Sequence, residues 1–218
     1  MVSVIALNLL AEQLELTDAL RAGRDKMLEP QDLPGRYGRV IRALDRLLRA
    51  TGCEAVVAGG WAVWRHGFLG RVTQDVDIVV PAALIQELLR VAPLGGFDVL
   101  PTPAGLWPKL LHKESGINVD LLPEGATPGT SAHPAPTTIP HPSRMGARGT
   151  RLAYIDLASL VELKLAAGRA RDESDVVELL RANTDQAAAI REHLSQVHPH
   201  YATRFDDLLK RAQEQADH

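Results

Sequence analysis

Asp75 and Asp77, in the run QDVDIVV, are the residues of this chain best suited to chemistry. The apolar residues around them read as a strand. Carboxylates two apart on a strand share one face, their Cα atoms about 6–7 Å apart. Such a pair can hold hard divalent cations. Upstream, Gly59-Gly60 ends an apolar segment and opens a short helix. A turn of that kind suits phosphate, because its backbone N–H groups can approach an anion closely. Downstream, Asp120 lies in INVDLL, where Asn118, Asp120 and Leu122 share one face while Ile117, Val119 and Leu121 share the other. If that segment lies beside 75–80, three carboxylates meet at one sheet edge. Each would be costly to bury unpaired, and together they would repel, so a bound cation is the economical resolution. Phosphate and metal together point to nucleotide chemistry.

The elements that must position these residues follow from pattern. Residues 4–27 have apolar positions at Ile5, Leu9, Leu16 and Leu20, which predicts an amphipathic helix. EPQDLPG (29–35) breaks it, and 37–51 predicts a second helix closed by Thr51-Gly52. Strands are predicted at 54–58, 75–80 and 97–100, with a helix over 60–67 and another after Pro81. Segments 106–112 and 117–122 flank Glu114-Ser115-Gly116 and predict a hairpin. Residues 123–150 are rich in Pro, Gly, Ser and Thr and predict no regular element, only a surface excursion or a loop beside the site. From Asp156 the pattern is helical to the end: Asp156 as N-cap and Gly168 as C-cap of one helix, Asp172 as N-cap of the next, then helices near 184–197 and 200–215.

Bulk properties narrow the class. A chain of 218 residues, 45% hydrophobic and 23% charged, suits a globular protein with a real core. A formal charge of −3 argues against a general nucleic-acid coat. The lone Cys53 excludes an internal disulfide and predicts a buried thiol. No apolar stretch approaches the roughly 20 residues that span a bilayer, and the first residues lack a leader pattern, so no membrane partner and a cytoplasmic location are expected.

The order Gly-Gly, helix, Asp-x-Asp on a strand, then a third Asp on a later strand resembles the DNA polymerase β-like nucleotidyltransferase superfamily. GGWAVWRHG…RVTQDVDIVV looks like its small bacterial branch of abortive-infection-type toxin, minimal and aminoglycoside nucleotidyltransferases. LASLVELKLAAGRARDESDVVELL is similar to the helical segment of that branch. The resemblance covers roughly 37–182 and implies roles residue by residue. Gly59 and Gly60 would hold the triphosphate, with Arg71 and Thr73 near the phosphates and Lys164 reaching them. Asp75, Asp77 and Asp120 would bind Mg²⁺ (Mn²⁺ as a substitute), with Asp120 also helping to deprotonate the acceptor. Plainer readings stay open: a tight turn for the glycines, solvated strand-end carboxylates, a structural cap at Asp120, a solvated Lys164, and packing roles for His66, Trp61 and Trp64.

The fold implied is α+β (α/β): a nucleotidyltransferase fold with a mixed sheet of about four or five strands, helices on one side, and a C-terminal helical bundle. Three regions are expected, namely 1–50 as N-terminal helices packing on the core or a partner, 51–155 as the core, and 156–218 as the helical domain. The leading function is metal-dependent transfer of an NMP from an NTP to a hydroxyl, the toxin-like branch slightly ahead. An aminoglycoside-type small-molecule enzyme is the alternative, and a non-catalytic nucleotide-binding module is a third reading. Expected partners are NTP and an RNA, protein or small-molecule acceptor, with a cognate antitoxin and a homodimer also in view. Arg144, Arg148, Arg151, Lys164, Arg169 and Arg171 would favour a polyanionic acceptor if they line the same cleft.

Overall fold

The computed structural model describes residues 4–103 and 105–216, with no side-chain description for residues 4–6 and 216, so Ile5 of the predicted apolar face lies outside it. Its centre is a six-stranded mixed sheet, β1 (Val56–Val57), β2 (Val76–Val80), β3 (Phe97–Leu100), β4 (Lys109–His112), β5 (Asn118–Pro123) and β6 (Ala153–Tyr154), in the order β3-β4-β5-β2-β1-β6. β2 runs antiparallel to β1 and parallel to β5. β4 and β5 form the hairpin expected around residues 113–117. The sheet has one strand more than expected. β6 is only two residues, pairs parallel with β1, and carries no alternation that a sequence could display. Its placement comes from elsewhere: buried Asp45 accepts the Leu152 N–H at 2.9 Å and Gln31 at 2.8 Å, pinning the chain just before β6.

The helices are α1 (Val4–Arg21), α2 (Gly35–Thr51), α3 (Gly59–Arg65), α4 (Ile85–Val91), α5 (Leu157–Ala167), α6 (Ala170–Ala182), α7 (Ala187–Val197) and α8 (Pro199–Ala216). In α2, Val40, Ile41, Leu44 and Leu48 are fully buried, while Arg42, Arg46 and Arg49 face solvent. Gly52 ends the helix in the left-handed conformation that spares a Cβ. Among the C-terminal helices, α5 packs on α6 and α7, and α8 lies across α6 and α7. Asp156 caps α5 as expected, accepting Ser159 N–H at 2.9 Å. α6 starts two residues before Asp172, with Arg169 at the N-cap position, so Asp172 is not a cap. Buried residues from α2, the sheet and the C-terminal helices belong to one continuous core. Cys53 is wholly buried, and burial pushes its thiol up to about 12. No helix among the described residues is long and apolar enough to cross a membrane.

Candidate active site

The sheet brings the three aspartates to one place. Asp77 on β2 is directly opposite Asp120 on the parallel neighbour β5, and Asp75 precedes β2 by one residue. Alternation sends Val76, Ile78 and Val80 into the core and leaves Asp77 on the open face. All three carboxylates line a polar cleft of about 370 Å³, together with Arg71, Thr73, Arg169 and Arg171. Arg169 precedes α6 and Arg171 opens it, so the sheet and the C-terminal helices each supply one wall.

Burial raises the Asp77 carboxyl to about 7, the charges of Asp75 and Asp120 add to the rise, and Lys164 and Arg71 only partly offset it. A carboxyl in that state is one a divalent cation would pull back to the ionised form, so the donor chemistry fits a hard metal. Asp120 is otherwise engaged. Lys109, opposite it across the β4–β5 ladder, donates to both its oxygens at 2.9 and 2.7 Å. No three acidic, His or Cys side chains among the described residues are already grouped for a metal. Asp75 and Asp77 are therefore the residues best disposed to a cation, and Asp120 joins them only by exchanging Lys109.

Gly59 and Gly60 do not line this cleft; they back it. A Cβ on Gly59 would fall 1.8 Å from Asp77 Oδ2, and one on Gly60 would fall 2.4 Å from Thr73 Oγ1. Gly59 also has φ of +59°, where an L side chain is strained. The double glycine thus lets α3 approach the very residues that carry the chemistry. Thr73 is held from another side. The Gln13 side chain of α1 accepts from Thr73 N–H at 3.1 Å and donates to its carbonyl, to which Tyr37 also donates at 3.1 Å. Gln13 is 3% exposed, an unusual burial for a glutamine, and it fixes the backbone two residues before Asp75. The helical period does put Gln13 on the apolar face, four residues after Leu9 and three before Leu16, but says nothing of the partner it finds there.

Lys164 departs from expectation. Its Nζ is buried and donates to Asp172 at 2.9 Å and Asp175 at 2.6 Å, so it does not reach into the cleft. Arg71 Nε bonds the same Asp175 oxygen at 2.9 Å, and Arg169 Nε bonds Asp172 at 2.6 Å. Burial alone would raise the Asp172 carboxyl, but Lys164 and Arg169 outweigh it and hold it below its ordinary value. The chain Arg71–Asp175–Lys164–Asp172–Arg169 ties the loop before β2 to the start of α6. It anchors two cleft arginines rather than delivering a lysine. His66, Trp61 and Trp64 pack as expected: His66 Nε2 meets the Ile155 carbonyl at 2.8 Å, and both indoles are buried.

Residues of the 123–150 excursion line two further hollows. Arg169 also lines a hollow of about 380 Å³ with His133, His200 and Tyr201. Ala135 and Pro136 are shared with a further cavity of about 590 Å³, bounded by Thr137, Arg144, Glu162 and His193. Glu162 is buried and bonds His193 Nε2 at 2.7 Å. Of the basic residues grouped in the sequence, Arg169 and Arg171 reach the cleft and Arg144 the far cavity. Arg151 turns away towards Gln31.

No family model matches this chain, and no curated protein matches it. Several solved chains resemble it loosely, and two of them show the degree of likeness. One is described as a crystal structure of ANT(2")-Ia in complex with adenylyl-2"-tobramycin, 13% identical over 81% of this chain and 97% of that one, with a TM-score of 0.44. The other is a solution structure of the antibiotic-resistance factor ANT(2'')-Ia, 14% identical over 82% and 91%, with a TM-score of 0.42. At that level of likeness the chain's own cleft has to carry any functional reading.

Proposed function

We propose that this chain is a metal-dependent nucleotidyltransferase that moves an NMP from an NTP to a hydroxyl of a small molecule. The observation that carries the reading is the register of β2 against β5, which sets Asp77 opposite Asp120 with Asp75 beside them. Asp75, Asp77 and Asp120 would hold Mg²⁺ or Mn²⁺, which when bound neutralises phosphate charge and makes a coordinated hydroxyl more acidic. Arg169 and Arg171 suit the oxygens of the triphosphate. Asp120, freed from Lys109, accepts the proton of the acceptor hydroxyl. The acceptor oxygen then bonds the α-phosphorus while the bond to the β-phosphate oxygen breaks and pyrophosphate leaves. Thr73, fixed by Gln13, sets the backbone from which Asp75 projects.

A small-molecule acceptor, held second to the toxin-like branch on sequence, moves ahead of it on cavity size. The cleft and the two hollows lined by the 123–150 excursion each lie in the range of small-ligand sites. Their walls carry Arg169, Arg171, Arg144 and several histidines, and among the described residues the one carboxylate beyond the three aspartates, Glu162, is engaged by His193. That lining favours a neutral or anionic hydroxylated acceptor over a polycation. Titration of each NTP in the presence of Mg²⁺ or Mn²⁺ tests the donor half. The Asp75→Ala/Asp77→Ala double variant should lose metal-dependent NTP binding, and unchanged binding would overturn the assignment. Labelled NTP with pooled sugar phosphates, tobramycin or total RNA tests the acceptor. Label transferred to RNA alone would return the toxin-like reading to first place.

A further inference from the structure

The cavity of about 590 Å³ between the 123–150 excursion and helices α5 and α7 shares no lining residue with the carboxylate cleft. In its wall stands Glu162 of α5, a carboxylate with only 4% of its side chain exposed. His193 of α7 engages Oε2 through Nε2 at 2.7 Å, and 33% of the His193 side chain stays open. Glu162 Oε1 takes no hydrogen bond among the described residues, yet protein does not seal it in, so it opens into the cavity. His193 Nδ1 likewise has no partner among the described residues. Arg144 of the excursion lines the same cavity with an exposed side chain that makes no ion pair or hydrogen bond among the described residues. The excursion is itself held in place. Ile139 and Met145 are buried in the core, and the Thr137 hydroxyl meets that of Tyr201 at 2.8 Å.

These groups together select a ligand chemistry. A buried carboxylate oxygen without a donor is costly, so Oε1 calls for a hydroxyl or an ammonium. With Nε2 donating to Glu162, the Nδ1 of a neutral ring is a second acceptor, which neighbouring hydroxyls of a polyol can satisfy together with Oε1. An ammonium is disfavoured, because His193 already engages the carboxylate and Arg144 shares the cavity. The free guanidinium fork suits a phosphate. Pro136, Pro140 and Val197 offer apolar patches to the C–H faces of a carbon skeleton. A purely apolar ligand would leave Oε1 and Arg144 unpaired, and a bare inorganic anion would use Arg144 alone.

We propose that this cavity binds a phosphorylated polyol of sugar size, with its hydroxyls on Glu162 and His193 and its phosphate on Arg144. As a nucleotidyl acceptor such a molecule rests on the function proposed above. As a bound molecule it does not, because occupancy is measured with neither NTP nor divalent metal present.

The test is calorimetry on the full chain with glycerol 3-phosphate, ribose 5-phosphate and glucose 6-phosphate, against inorganic phosphate and unphosphorylated glycerol, ribose and glucose. At least one phosphorylated polyol should bind saturably, and about tenfold more tightly than either its parent or inorganic phosphate. Arg144→Gln, a change at an exposed side chain, should lose about that factor while keeping the melting temperature. Arg171→Gln, in the carboxylate cleft, should leave this affinity as it is. Absence of saturation by all three up to about 10 mM overturns the proposal. So does inorganic phosphate binding as tightly as the best of them, or a larger loss from Arg171→Gln than from Arg144→Gln. Should the Arg144 variant fail to fold, the comparison of each phosphorylated polyol with its parent and with inorganic phosphate on the unaltered chain still decides the matter.

Discussion

Replacing Asp77 with Asn should make the metal-free protein more stable while ending its chemistry. Asn keeps the shape and removes the charge that burial, Asp75 and Asp120 all disfavour. The carboxyl rises from 3.8 to about 7, roughly three units. At 1.36 kcal/mol per unit, that corresponds to at most about 4 kcal/mol of destabilisation once the group is fully ionised. Asp77 keeps partial contact with solvent, so about 2–4 kcal/mol is expected, or a rise in Tm of roughly 5–15 °C for a chain of this size. The sign follows from linkage. The folded protein binds this proton more tightly than the unfolded chain. The stability it contributes is therefore complete below pH 4 and is lost as pH rises through about 7. Thermal unfolding of both proteins in a chelator, from pH 4 to 8, should show the Asn variant gaining on the unaltered protein as pH rises. Saturating Mn²⁺ should close or reverse the gap, because the carboxylates then have a cation to bind. An Asn variant that melts lower at pH 7.5 without metal, or a difference flat across the range, would refute the reasoning.

Two further outcomes follow from the ion pairs. Lys164→Met should take the shared ammonium from two buried carboxylates, leaving Asp175 with Arg71 alone and Asp172 with Arg169 alone, and cost about 1.5–3 kcal/mol, read as a fall in the denaturation midpoint; a surface-like loss below about 1 kcal/mol would mean that Lys164 is not buried as described. Lys109→Ala should release Asp120 and tighten Mn²⁺ binding several-fold by calorimetry, whereas weaker binding would show that Lys109 helps the site rather than competing for it.

Much of the site could be read from spacing. Alternation in VDIVV and INVDLL puts Asp77 and Asp120 on faces that strand pairing can bring together, and their apolar and β-branched residues suit a half-buried sheet surface. The caps Asp156 and Gly168 and the turn at Gly52 were legible for the same reason, since each is set by a residue's own conformational preference. The spacing of Lys164 from the carboxylates says nothing about which ones it meets. Asp172 and Asp175 lie one and two turns along the next helix, and only the packing of α5 on α6 turns them towards its ammonium.

What the sequence by itself determined is the set of carboxylates, the strands that carry two of them, and the small residues at 59 and 60. These depend on periods of two and 3.6 residues and on the conformational freedom of glycine, all local properties. Tertiary structure decided the rest. It gave the reason the glycines must be small, which is the approach of Asp77 and Thr73 to within a missing Cβ. It placed β6 through Asp45, held Thr73 through Gln13 from 60 residues away, and set Lys109 on Asp120. Those contacts join side chains distant along the chain, and no local preference encodes which partner a buried polar group will find.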